Sequence, residues 1–245
     1  MSGHSKWNNI KHKKAKTDAA RANVFTKIAK EISIAVKESG GDPATNSRLR
    51  DLITKARASN VPNDNIERTI KKALGSDGAN YEEITYEGYG PEGVAVIVET
   101  STDNRNRTAG EVRHAFDKFG GNLGATGCVS YMFSPKGVII ISSEDVDEDA
   151  LMEAALEAGA SDFEADPESE AFEIYTEPDD LYPIRDELEK LGYKIESAEK
   201  DKIPQNYVSM TNEENIRHMN LLLDTLEDNE DVLNVFHNWE NCDDE

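Results

Sequence analysis

Apolar residues return along this chain in two different periods. Over residues 17–38, Val24, Ile28, Ile32, Ala35 and Val36 recur every three or four positions, with Phe25 and Ala29 beside them. That spacing predicts an amphipathic helix with lysines on its flanks, closed by Gly40-Gly41. After Asp42-Pro43 a second helix is expected, with Leu49, Leu52, Ile53 and Ala56 on one face. Asn60-Val61-Pro62-Asn63 break it, and Pro62 suits the start of a third helix carrying Ile66, Ile70, Ala73 and Leu74 up to Gly75. Residues 75–80 read as a linker.

From Tyr81 the period shortens. Tyr81–Tyr89 and Val94–Thr100 read as strands, Arg107–Phe119 as a helix, and Cys128–Phe133 as an alternating strand. Residues 136–200 then spell strand, helix, hairpin, helix and strand, which is the βαββαβ order of a ferredoxin-like unit. Tyr207–Met210, a helix over Asn212–Leu226 and a strand over Val232–Phe236 complete a second βαββαβ set with strand 94–100, helix 107–119 and strand 128–133. The expectation is an α+β protein of three domains. Residues 1–80 form a basic three-helix domain, residues 81–135 with 203–245 a discontinuous middle domain, and residues 136–202 an acidic domain inserted into it.

Charge sharpens this picture. The 245 residues carry a net charge of −22, but unevenly. Residues 1–80 hold 16 Lys/Arg against 8 Asp/Glu; residues 144–245 hold 6 against 33. The first thirty residues contain Lys6, Lys11, Lys13, Lys14, Lys16, Arg21, Lys27 and Lys30 against Asp18 alone. Charge runs are commonly solvated faces, but an already strongly charged protein needs no basic tail for solubility. Local Lys/Arg excess is also the footprint of a polyanion site. Trp7 and His12 lie among the lysines with Asn8 and Asn9, offering a stacking surface and base-edge donors beside phosphate ligands. Arg68, Lys71 and Lys72 extend the basic set onto the third helix, and Arg105, Arg107 and Arg113 supply a second contact.

Other chemistries lack residues. Gly88-Tyr89-Gly90-Pro91-Glu92-Gly93 matches G-x-G-x-x-G, but it precedes a strand, and Pro91 and Glu92 suit a turn better than a pyrophosphate cradle. The run Gly120–Gly127 lacks the ending of a P-loop and reads as a connection with room for positive φ. His4, His12, His114, His218 and His237 show no metal-ligand spacing, and neither Cys128 nor Cys242 sits in a nucleophile signature. No catalytic residue, metal or cofactor is expected. No run approaches the roughly 18 apolar residues of a membrane span. The N-terminus has no apolar h-region, so a cytoplasmic protein is expected.

Several stretches together resemble a known family. The opening Met1–Lys14 followed by Asp18 and Arg21, then Gly40–Pro43, Asn60–Ile66, Tyr86–Pro91, Thr102–Thr108 and Gly120–Gly124, are similar to the YebC family. That family includes bacterial proteins described as transcriptional regulators and a mitochondrial translational activator of cytochrome c oxidase. The resemblance implies a helical N-terminal domain, two α/β domains, and a nucleic-acid-linked function without catalytic residues.

Two targets follow, DNA and ribosomal RNA. On duplex DNA the three-helix domain would be the reader, although no helix-turn-helix signature is present. On the ribosome, a basic arm would thread into folded RNA and order on binding, with Trp7 stacked on an unpaired base. A third reading makes the acidic domains an adaptor for basic protein partners.

Overall fold

The computed structural model describes residues 18–75, 80–165 and 170–240. Three helices come first: α1 (Asp18–Ser39), α2 (Ser47–Ala58) and α3 (Asn63–Leu74). Their ends follow local chemistry. Asn46 caps α2, its side-chain oxygen accepting from Leu49 N at 3.0 Å, while its Nδ2 donates to Ala35 O and Gly40 O, both at 2.8 Å. One buried asparagine therefore fixes both the end of α1 and the start of α2. Ile28, Ile32, Ala35 and Val36 of α1 pack with Leu49, Leu52 and Ala56 of α2 and Ile66 and Ala73 of α3, the periodicity seen in the sequence.

The remaining elements are β1 (Glu82–Tyr89), β2 (Ala95–Thr102), α4 (Arg105–Lys118), β3 (Asn122–Leu123), β4 (Phe133–Ser142), α5 (Glu148–Ala158), β5 (Asp162–Ala165), β6 (Ala171–Thr176), α6 (Leu181–Lys190), β7 (Ile195–Pro204), α7 (Glu213–Asp228) and β8 (Val232–His237). They build two four-stranded antiparallel sheets, ordered β3-β1-β2-β8 and β5-β6-β4-β7. The chain divides into two compact units. One holds the three helices and the first sheet, running to Ser130 and resuming over Met210–Asn238; the other holds Tyr131–Ser209 with Trp239 and Glu240.

The second sheet has the ferredoxin-like order expected from residues 136–200. Its core joins Ile139, Ile141, Phe172 and Ile174 to Leu151, Leu181, Ile184 and Leu188 of α5 and α6. The first sheet has a different order, 3-1-2-4 along its own strands against 2-3-1-4 in the second, which corrects the expected middle βαββαβ. Cys128–Met132 is not a strand but a turn entering a short 3₁₀ segment, Ser130–Met132, and only Phe133, the start of β4, is in a strand. Tyr207–Met210 is not a strand either; Val208 makes one isolated bridge, to Trp239. The vacant place is filled by β1, which pairs with both β2 and β3.

Gly88-Tyr89-Gly90-Pro91-Glu92-Gly93 ends β1 and turns into β2 through Pro91–Gly93, with Glu92 at φ 55° and Gly93 at φ 82°. It is a turn. At Gly88 a Cβ would stand 2.6 Å from Asn122 O and 2.9 Å from Phe116 Cε1, so only glycine lets β3 and α4 close on β1.

Candidate nucleic-acid interface

Lys6, Trp7, Lys11, His12, Lys13, Lys14 and Lys16 lie outside the described residues, and Arg21 lies in the first turn of α1. Arg68, Lys71 and Lys72 are exposed on α3. Arg68 and Lys72 are four residues apart and share a helical face, whereas Lys71 stands 4.0 Å from Glu67. Exposed Arg50 and Arg57 of α2 add to the basic surface of this domain.

Lys27 and Lys30 are engaged within the protein itself. Asn23, Lys27 and Lys30 recur at i, i+4 and i+7 along α1, and all three donate to main-chain carbonyls at the end of α7. Asn23 Nδ2 reaches Asp228 O at 3.3 Å, Lys27 Nζ reaches Glu227 O at 2.8 Å, and Lys30 Nζ reaches Glu230 O at 2.8 Å. A helix C-terminus presents unsatisfied carbonyls and partial negative charge. The last turn of α7 has no basic residue of its own, and α1 supplies the missing cations.

Lys30, 8% exposed, also meets Asp231 Oδ1 at 2.7 Å and lies 5.6 Å from the centre of the Tyr81 ring. Asp231 is 4% exposed. Its other oxygen accepts from Arg107 Nη2 at 2.6 Å, Thr108 Oγ1 at 2.8 Å and Thr102 Oγ1 at 3.1 Å. Burial alone would push the Asp231 carboxyl up, but hydrogen bonds from Arg107, Lys30 and Thr108 outweigh it and hold the pKa at about 2. Arg107 is further tied to Asp103 at 3.0 Å. These two carboxylates raise its pKa above the ordinary guanidinium value. Of the second-contact arginines, Arg107 is thus bound into the fold, while Arg105 and Arg113 are exposed on α4.

An open cleft of about 560 Å³ runs beside this node, lined by Thr26, Lys30, Tyr81, Asp103, Arg107, Glu111, Asn229, Glu230 and Asp231. Its four carboxylates outnumber two paired cations, so it repels a phosphate chain. Nothing in the sequence separates Asp231 from the acidic residues around it; only the donor stripe on α1 hinted that some carbonyl-rich surface lay opposite.

The glycine-rich loop after α4 is closed to anions at one end by the protein itself. Glu87, 3% exposed, accepts from the backbone N–H groups of Gly127, Val129 and Ser130 at 2.8, 2.9 and 2.8 Å. Burial raises its pKa, yet the three N–H donors outweigh burial and leave it below the usual carboxylate range. The same capture explains why Cys128–Ser130 forms no ladder: the Val129 and Ser130 N–H groups are held by Glu87, and that of Cys128 donates to Ala125 O at 3.1 Å. Among the described residues, no group of three or more His, Cys, Asp and Glu is placed to hold a metal ion, and no helix is long and apolar enough to cross a membrane.

Comparison with known proteins agrees with this architecture. The TACO1/YebC protein N-terminal domain matches residues 5–76, and the TACO1/YebC second and third domain matches residues 81–239. A probable transcriptional regulatory protein of Acetivibrio thermocellus is 60% identical over 241 residues, covering 98% of this chain and 99% of that protein. Another from Persephonella marina is 55% identical over 241 residues, covering 98% and 96%. The crystal structure of a conserved hypothetical protein from Aquifex aeolicus superposes with a TM-score of 0.81 at 46% identity, covering 92% of this chain and 93% of that one. With matches spanning both the helical segment and the two sheets, the chain belongs to the TACO1/YebC family.

Proposed function

We propose that the protein is a non-enzymatic regulator of gene expression that binds nucleic acid through its N-terminal domain, residues 1–80. The observation that carries this reading is the segregation of charge: a net +8 over residues 1–80 and −27 over residues 144–245. Arg50, Arg57, Arg68, Lys71 and Lys72 remain exposed on α2 and α3, next in sequence to a lysine-rich arm containing Trp7. The arm with Arg21, together with Arg68 and Lys72, forms the contact. Lys27 and Lys30 hold α1 in place. Arg105 and Arg113 provide the second contact.

The names of the relatives favour transcriptional control on DNA. The −27 segment favours a compact RNA target such as ribosomal RNA, because long duplex DNA would bring phosphates close to those carboxylates. Sucrose-gradient sedimentation with ribosomes, comparing intact protein with a variant lacking residues 1–16, separates the two. A ribosomal shift lost on truncation supports RNA. No shift together with a footprint on promoter DNA supports transcription. Absence of both overturns the nucleic-acid reading.

A further inference from the structure

Helix α5 carries two sets of apolar side chains. Leu151 and Ala155 are buried in the core beneath the second sheet's helices, with Ala154 and Ala158 packed against it. Met152 and Leu156 lie outside that core and are 38% and 52% exposed. One turn apart, they are neighbours on the helix surface. A single exposed leucine is ordinary, but two adjacent apolar side chains form a stripe.

Carboxylates run along this stripe. Glu148 and Asp149 stand one turn before Met152, and Glu153 stands three residues before Leu156. Asp149, Glu153 and Glu157 form a row at i, i+4 and i+8, and all three are exposed. Like charges at that spacing destabilise a helix, and Glu157 adds to the negative end of the helix dipole. α5 has no Lys, Arg or His of its own. No Lys or Arg occurs between Lys136 and Arg185, a stretch that holds 16 Asp/Glu. Those two flanking cations are themselves paired, with Glu177 and Asp186.

An occupant that relieves the row and covers the stripe carries cations beside apolar side chains. We propose that Met152, Leu156 and the carboxylate row of α5 form a docking face for a basic amphipathic helix of another protein. Its apolar side chains would cover the stripe, and its Lys or Arg would meet Asp149, Glu153 and Glu157. Charge complementarity selects this occupant: nucleic acid is repelled, and an acidic segment leaves the row unrelieved. A helix also matches the face in period, because cations at i and i+4 align with carboxylates at the same spacing. The face lies within one compact unit and uses none of the nucleic-acid contacts proposed above.

Fluorescence anisotropy with the intact protein tests the docking. The probe is a labelled synthetic peptide of Leu and Lys at helical spacing, with an oligolysine of equal charge as control. The Leu/Lys peptide should bind, and Met152→Ser with Leu156→Ser should weaken it at least about tenfold while leaving oligolysine unchanged. Far-UV circular dichroism should show this variant folded, since both side chains are exposed. Glu153→Gln with Glu157→Gln should weaken both peptides, about threefold or more. Leu221→Ser, at an exposed leucine of α7, should change neither. Failure of the Leu/Lys peptide to bind, or equal affinity for wild type and the serine variant, would overturn the proposal. Equal weakening of both peptides by the serine pair would overturn it too, because the loss would then not report apolar contact. Nucleic-acid affinity, measured on the same variants, should be unchanged; its absence in wild type would remove the function proposed above and leave this face standing.

Discussion

The Lys30–Asp231 pair offers the sharpest test of how the helical domain is held. Lys30→Met removes an ammonium that lies 2.7 Å from Asp231 Oδ1 and 2.8 Å from Glu230 O. Breaking one side of a buried pair costs about 3–5 kcal/mol. Because Arg107, Thr102 and Thr108 still donate to the carboxylate, the cost falls at the lower end, about 3 kcal/mol. Asp231→Asn weakens both cationic contacts at once and falls nearer the upper end. The double variant should show a coupling energy of about 2 kcal/mol, typical of residues in direct contact. Urea unfolding followed by far-UV circular dichroism gives all three values. The pH dependence supplies a second reading. The folded pKa of Asp231, about 2, lies below the roughly 3.9 of an unfolded aspartate. Its contribution is therefore complete above about pH 5 and lost as pH falls through the folded value, a span of about 2.6 kcal/mol. Coupling below about 0.5 kcal/mol would refute the argument that this pair docks α1.

Other consequences follow from the same geometry. Glu87→Ala strips the cap from residues 127–130, and the amides of Gly127, Val129 and Ser130 should exchange faster with solvent, by at least about tenfold for a loss of about 1.4 kcal/mol. Because the folded Glu87 pKa is lowered, that protection is present above the unfolded glutamate value and fades as pH falls below it. Gly137→Ala would place a Cβ on Thr176 Oγ1 and 2.8 Å from Leu181 Cβ, with an expected loss of about 1–3 kcal/mol in thermal or urea unfolding. Lys13→Glu with Lys14→Glu should weaken polyanion binding at least about tenfold at modest salt, measured by fluorescence anisotropy; unchanged affinity removes the arm from the contact.

Local periodicity made the helices and the second sheet readable. Ile28, Ile32, Leu49 and Ile66 announced a small helical core, and the run Val138–Ile141 announced a buried strand. The first sheet was harder because its order depends on pairing between distant segments. β1 occupies a place that strand order along the chain assigned to Tyr207–Met210, and no local pattern distinguishes the two. Cys128–Phe133 alternates like a strand, but a buried glutamate some forty residues upstream captures the N–H groups of Val129 and Ser130, and only Phe133 joins a strand. Charge was readable as a total and less so by residue: Lys27, Lys30 and Arg107 belong to the basic set by composition, yet carbonyls at the end of α7 and the Asp231 carboxylate hydrogen-bond them.

Together these contacts describe a basic helical segment anchored by three of its own donors, with Arg50, Arg57, Arg68, Lys71 and Lys72 exposed on α2 and α3. The most direct test of its central claim is the salt dependence of nucleic-acid affinity for the intact protein. With roughly six to eight phosphates neutralised, log K should fall against log salt with a slope of about −5 to −7. Exchanging Lys27 for Met should leave that slope unchanged, whereas charge reversal in the arm should flatten it. A slope near zero, or no binding to either RNA or DNA in dilute buffer, would contradict the account.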